Sequence, residues 1–289
     1  MRFINFIYQN FVKLCFIGFL IATFSSNAET ILVSNEGSDN ITIIDLKSYE
    51  VLATINGGKR PRDMHYISKW NSLLVAASED DTIYRIDLDT YEITGKLETG
   101  DDPEIFDISP DGKIAVVSNE DDNAATVIDI NSGKIIRVIE EILVGNRPRR
   151  GAFTKNGQEY WVTNELGGTV SVIDTNSYKV IHNIKFEKKG IRSTEITPVD
   201  FAMSNDGKLA YITLGRSKHV AVVQTENYEV IDYILAGSRV WGAAISSDDK
   251  TLIVTNGNSD DISIIDTDKR ASIKSIAVGI TPHTVRIID

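Results

Sequence analysis

From about residue 29 onward the chain is a succession of short runs rich in Val, Ile and Thr, separated by clusters of Gly, Asn, Asp and Ser. No stretch of this part sustains a 3.6-residue apolar period, so the runs predict strands and the polar clusters predict turns. The runs recur. Leu32-Val33-Ser34-Asn35 returns as Leu74-Val75-Ala76-Ala77, Val116-Val117-Ser118-Asn119, Trp161-Val162-Thr163-Asn164, Tyr211-Ile212-Thr213-Leu214 and Ile253-Val254-Thr255-Asn256, at offsets of 42, 42, 45, 50 and 42 residues. A second run keeps the same offsets: Ile43-Ile44-Asp45, Arg85-Ile86-Asp87, Val127-Ile128-Asp129, Val172-Ile173-Asp174, Val222-Val223-Gln224 and Ile264-Ile265-Asp266.

A third run leads into glycine and often proline, as at Gly58 to Pro61, Gly100 to Pro103, Gly145 to Pro148 and Gly279 to Pro282. A fourth ends in a polar turn, as at Ser109 to Gly112, Lys155 to Gly157, Ser204 to Gly207 and Ser246 to Asp249. Four antiparallel strands per 40–50 residues is the signature of a propeller blade. The expectation is an all-β chain forming a single β-propeller of six four-stranded blades, with seven as the alternative. The fourth run that should precede the first unit stands instead at the far end, from His283 to Asp289. Placing this C-terminal strand in the N-terminal blade closes the ring and covers its open edge.

Residues 1–28 differ from the rest. Arg2 and Lys13 precede an apolar stretch from Leu14 to Phe24, followed by Ser25-Ser26-Asn27-Ala28. That is the layout of a signal peptide cleaved before Glu29, and the apolar stretch is too short to span a bilayer. The expected domains are therefore a signal peptide over 1–28 and the propeller over 29–289, with a periplasmic destination. Cleavage would take the net charge from −11 to −13 and remove Cys15, the one cysteine. Disulfide, thiolate and cysteine-metal chemistry are thereby excluded from the mature chain. An acidic body repels phosphate backbones, so no nucleic-acid partner is expected. No membrane span is expected in the mature chain, and a monomer is the expected state.

The repeat phrases, above all Trp161-Val162-Thr163-Asn164, resemble the YVTN family of β-propeller repeats over essentially the whole mature chain. Trp161 to Asp174, the connection Ile184 to Pro198 and Arg239-Val240-Trp241 are similar to a subgroup associated with pyrroloquinoline quinone (PQQ)-dependent alcohol catabolism. That subgroup is typically seven-bladed, whereas six units are counted here. The resemblance implies a non-catalytic accessory, scaffold or binding role beside a periplasmic quinoprotein dehydrogenase, a cytochrome or a solute-binding protein. An association with PQQ rests on the resemblance alone, and no cofactor is otherwise assigned. A propeller enzyme acting on or binding a small molecule or metal, such as a lactonase, and a cell-surface structural propeller are the alternatives.

The residues following the proline position of each unit begin the innermost strand and are expected at the channel mouth. They are Arg62, Glu104, Arg149, Val199, Trp241 and His283, with Asp63, Arg150 and Asp200 beside some of them. Binding of a ligand or partner and stitching of neighbouring blades both fit such a ring. Arg192 and Glu195, in the longest connection, are placed with the same face. The acidic loops around Asp39, Glu79 to Asp81, Glu120 to Asp122 and Asp260 read as turns rather than calcium loops, lacking a terminal bidentate glutamate. The chain has neither a nucleophile elbow, a phosphate-binding glycine loop nor a haem attachment motif, so no residue is assigned to catalysis and none to a metal.

Overall fold

The computed structural model describes residues 29–288 apart from 100, 109–113, 120–123, 130–133, 141–145, 155, 175–176 and 178; between 114 and 140 it describes backbone only. The leader expected over 1–28, the turn at Ser109 to Gly112, the acidic loop at Glu120 to Asp122 and the last residue, Asp289, lie outside these residues.

The strands form four-stranded antiparallel sheets, each a consecutive meander except the first. Sheet one runs β24 (Pro282–Ile288), β1 (Thr30–Asn35), β2 (Asn40–Asp45), β3 (Val51–Asn56). Sheet two is β4 (Pro61–Ile67), β5 (Ser72–Ala77), β6 (Thr82–Asp87) and β7 (Ile93–Glu98). Sheet three is β8 (Pro103–Ile108), β9 (Ile114–Asn119), β10 (Ala124–Asp129) and β11 (Lys134–Glu140), with side chains described for β8 alone. Sheet four is β12 (Pro148–Phe153), β13 (Glu159–Asn164), β14 (Thr169–Asp174) and β15 (Lys179–Lys185). Sheet five is β16 (Phe201–Met203), β17 (Leu209–Thr213), β18 (His219–Gln224) and β19 (Val230–Leu235). Sheet six is β20 (Val240–Ile245), β21 (Thr251–Asn256), β22 (Asp261–Asp266) and β23 (Ala271–Ala277). The only helical elements among the described residues are short 3-10 turns.

Ring closure follows the expected exchange. β24 pairs with β1, Thr30 opposite Ile288 and Val33 opposite Val285, so the last strand becomes the inner strand of the first blade. The inner strands β20, β24, β4 and β8 touch in succession around the channel.

The apolar runs are continuous because the sheets stack face to face. Along β1, Ile31 and Val33 pack with Ile253 and Ile264 of the sixth blade, whereas Leu32 packs with Leu73 and Val75 of the second. Alternation therefore divides each strand between two neighbours rather than between core and solvent. Trp161 and Val172 likewise meet Ala210 and Ile212 across the fourth and fifth blades. Full burial of each such side chain stabilises the fold by about 1.5–3 kcal/mol. Outer strands read differently: Val51 and Leu52 of β3 and Val180 and Ile181 of β15 are exposed.

The third and fourth letters of the repeated strand have separate tasks. Its hydroxyl donates to the carbonyl that opens the next blade's inner strand: Ser34 to Arg62 (2.7 Å), Thr163 to Val199 (2.8 Å), Thr213 to Trp241 (2.5 Å) and Thr255 to His283 (2.7 Å). The asparagine holds its own hairpin. Asn164 Nδ2 donates to Thr169 (3.1 Å) and Ser171 (2.9 Å), and Asn35 and Asn256 repeat the pattern. The aspartate closing the next strand accepts the N–H three residues on, as Asp45 does from Ser48 and Asp266 from Lys269.

Candidate binding site at the channel mouth

The inner strands β4, β8, β12 and β20 are irregular at their first residues. The pairing register slips between Pro61 and Met64, Pro103 and Ile105, Pro148 and Gly151, and Val240 and Ala243. Bulges of this kind turn side chains out of the regular pleat, and the residues inside them are Arg62, Asp63, Glu104, Arg149, Arg150 and Trp241. The connecting loops that feed these strands each end in a left-handed residue: Arg60, Asp102, Arg147, Arg239 or Thr281.

The charged side chains form two levels. At the mouth, Glu36 receives Arg60 (3.0 Å) and Arg62 (2.7 Å), Arg62 also pairs with Glu104, and Glu104 receives Arg149 (2.6 Å). Arg149 continues to Glu165 (2.8 Å), which Arg147 and Arg239 also approach, each at 3.5 Å. One level deeper, Arg150 donates both terminal nitrogens to Asp63 at 2.9 Å and its Nε to Asp200 at 3.0 Å, while Arg286 reaches Asp63 from β24. The chain of pairs thus crosses from blade to blade.

Burial alone would raise the Asp63 carboxyl, but the Arg150 and Arg286 charges outweigh it and hold the group well below the usual carboxylate range. Burial pulls the Arg62 guanidinium down to about 10, opposed by Glu36. His283 is buried, and desolvation followed by the Arg62 and Arg149 charges pushes its imidazole well below its ordinary value, leaving it neutral. Its ring meets Trp241 edge to face at 4.9 Å between centroids. Between Arg149, Arg150, Asp200, Trp241 and His283 lies a cavity of about 10 Å³, on the scale of a single water.

Of the residues predicted for this face, Arg62, Asp63, Glu104, Arg149, Arg150, Asp200, Trp241 and His283 converge on the channel. Asp63, Arg150 and Asp200 form a separate buried group from the rim pairs, although Arg62 and Glu104 are buried as well. Arg192 and Glu195 stand apart: they pair with each other at 3.0 Å in an exposed turn and contribute nothing to the ring. The acidic turns accept from neighbouring loops rather than capping only themselves. Asp39 takes the Arg60 N–H (2.8 Å), Asp81 that of Asp102 (3.0 Å) and Asp260 that of Thr281 (2.8 Å). No cluster of His, Cys, Asp and Glu able to hold a metal occurs among the described residues.

Sequence reasoning missed Glu165 and Arg286. Glu165 follows the repeated strand just as Glu36 does, and aligning that column across the units would have found it. Arg286 offered no such signal, since its partner lies 223 residues away.

Residues 63–155 match the family model of the YNCE-like β-propellers, and residues 142–275 match that of the lactonase 7-bladed β-propellers. Each covers less than half of the chain, and both describe one architecture. The chain is a β-propeller. None of the curated proteins matches the sequence. Among solved structures, it is similar to a protein of Bacteroides fragilis named as a candidate 6-phosphogluconolactonase, with 17% identity, TM-score 0.75, and 92% of this chain and 99% of that one covered. A functionally unknown protein of Desulfotomaculum acetoxidans gives 14% identity, TM-score 0.73, and coverage of 89% and 98%. Hydrazine synthase of Kuenenia stuttgartiensis gives 18%, 0.60, 90% and 92%. Likeness at these identities concerns the fold alone.

Proposed function

We propose that this propeller is an exported, non-catalytic binding or scaffold protein that presents its mouth face to a periplasmic partner of quinone-dependent alcohol oxidation. The partner would be a quinoprotein dehydrogenase, its cytochrome or a solute-binding protein. The observation that carries this reading is the filling of the channel: Asp63, Asp200, Glu104 and Glu165 are each committed to arginines, with room for about one water between. A plugged channel makes a rigid platform rather than a reaction chamber. Around it, Leu166 and Ile280 stand exposed on the mouth-face loops, 53% and 55% accessible, as apolar anchors at an interface would. The ring is read as six-bladed, each blade clamped to the next through its inner strand. The particular partner class, and the tie to PQQ, rest on the resemblance of Arg239-Val240-Trp241 and the connection Ile184 to Pro198.

The test is capture from periplasmic extract at low ionic strength, using the protein and its Leu166→Asp/Ile280→Asp variant. Recovery of a quinoprotein dehydrogenase or its cytochrome by the first bait and its loss from the second supports the reading. Equal recovery by both, or none by either, removes it.

A second reading is favoured by the match to the lactonase family over 142–275. In it, Arg149, Arg150, Asp200 and His283 would have to part around a small lactone, since the cavity between them holds about one water. Turnover of 6-phosphogluconolactone that disappears in His283→Ala would put this reading first.

A further inference from the structure

The repeat itself shows where the mouth lacks a charge. Glu36 follows the repeated strand of the first blade and pairs with Arg60, which ends the loop leading into the second. Arg239 ends the loop leading into the sixth blade, so its counterpart to Glu36 belongs on the fifth, and that position is Gly215. No carboxylate fits there on the chain: Gly215 has φ +46°, and an added Cβ would sit 2.2 Å from Thr197 Oγ1.

Arg239 therefore borrows. Among the described residues its one carboxylate partner is Glu165, at 3.5 Å, which already receives Arg149 at 2.8 Å and Arg147 at 3.5 Å. The Arg239 Nε is buried without a hydrogen-bond partner, a costly condition for a guanidinium nitrogen. Exposed Arg216 adds a fourth positive charge beside it. Arg239 also lies over the Trp241 ring, 5.1 Å from its centroid, and Gly257 leaves the approach to that ring without a side chain. A cation short of a carboxylate thus adjoins an indole, within a chain of net charge −11.

We infer that the mouth above Gly215 is a site for a carboxylate with an apolar body, its anionic group meeting Arg239 and its body lying along Trp241. Planar forks recognise carboxylates through paired hydrogen bonds, as Arg150 does with Asp63, and the ring arginines donate to Glu36, Glu104 and Glu165 through single nitrogens. The carboxylate comes from a free small molecule or from an acidic side chain of the docked partner. This inference rests on the mouth face being the binding face, and it states what that face recognises.

The experiment is a tryptophan-fluorescence titration of the protein with benzoate, acetate and chloride at constant ionic strength, together with a short Glu-containing peptide. Saturable responses to benzoate, stronger than to acetate and absent for chloride, are expected. Arg239→Gln should weaken benzoate by about tenfold or more, the effect of losing a charge-assisted bond. Glu165→Gln should tighten it, because a competing carboxylate is withdrawn; a purely structural arginine would show no such gain. Arg85→Gln, beside Trp70, should change nothing. Response to the peptide but not to benzoate assigns the carboxylate to the partner. No saturable response to either, or one that Arg239→Gln leaves intact, overturns the inference. Capture of the partner in the preceding test with no carboxylate binding here sinks this inference alone.

Discussion

Arg150→Met is the sharpest test of the buried lower level. In the wild type, three nitrogens of Arg150 bind two carboxylates on different blades, Asp63 on β4 and Asp200 at the start of the fifth. Methionine keeps comparable bulk and removes all three bonds. Asp63 is left with Arg286, with His65 at 3.6 Å and with the backbone N–H groups of Met64 (2.9 Å) and Phe106 (3.3 Å); Asp200 is left with backbone N–H groups of Phe201 (2.7 Å) and Ala243 (3.4 Å). Removing one side of a buried ion pair costs about 3–5 kcal/mol, because the other charge stays behind. For a domain of this size each kcal/mol moves Tm by about 2–4 °C, so a fall of roughly 6–20 °C is expected at neutral pH. Calorimetry of Arg150→Met and of Arg150→Met/Asp200→Asn measures it. The second substitution should restore part of the loss, since it discharges the carboxylate left without a cation, whereas Asp63 keeps Arg286. A single variant melting within about 2 °C of wild type, or a double variant whose losses merely add, would refute the account.

Lowering the pH removes the same stabilisation from the other side. The folded Asp63 carboxyl is depressed, so its contribution is complete above the unfolded value near ~4 and disappears as pH falls through the folded one. His283 acts in a higher window. Because its folded pKa is lowered, protonation favours the unfolded chain, and stability should decline below about pH 6.5 with a slope that His283→Gln flattens. The inter-blade hydroxyls give opposite mutations: Thr255→Val should cost about 1–3 kcal/mol by leaving the His283 carbonyl unpaired. Ala76, the one described position in that column without a hydroxyl, should accept Ser with a gain of about 0.5–1.5 kcal/mol in urea unfolding. Deleting 283–289 removes nearly all of β24 and opens the β1 edge, so loss of cooperative melting or aggregation is expected; unchanged melting rules out closure as a source of stability.

The strands, their turns and the closing exchange were legible because each is written in local pattern and then repeated. The channel ring was legible in part, since the residues after each proline share a column. What the pattern concealed was the pairing. Asp63 and Arg150 read as rim charges until the bulges in β4 and β12 turn them into one buried network, and Arg286 reads as an ordinary strand residue. The hydroxyl of the repeated strand looked like mere strand propensity, although its acceptor lies on the next blade. Arg192 and Glu195 do not join the ring for the converse reason: a long connection gives charge without saying what that charge pairs with.

The union of β1 with β24 also imposes an order in time. Ser34 waits for Thr284, 250 residues later, and at about 5–20 residues per second the ribosome needs roughly 12–50 s to supply it. Throughout that interval the first blade is one strand short and the circuit of blades has no seam. Contacts this distant in sequence also slow the final step of folding. A chain whose first blade is completed only when β24 arrives remains open to threading, chaperone capture or mispairing until that strand has been made.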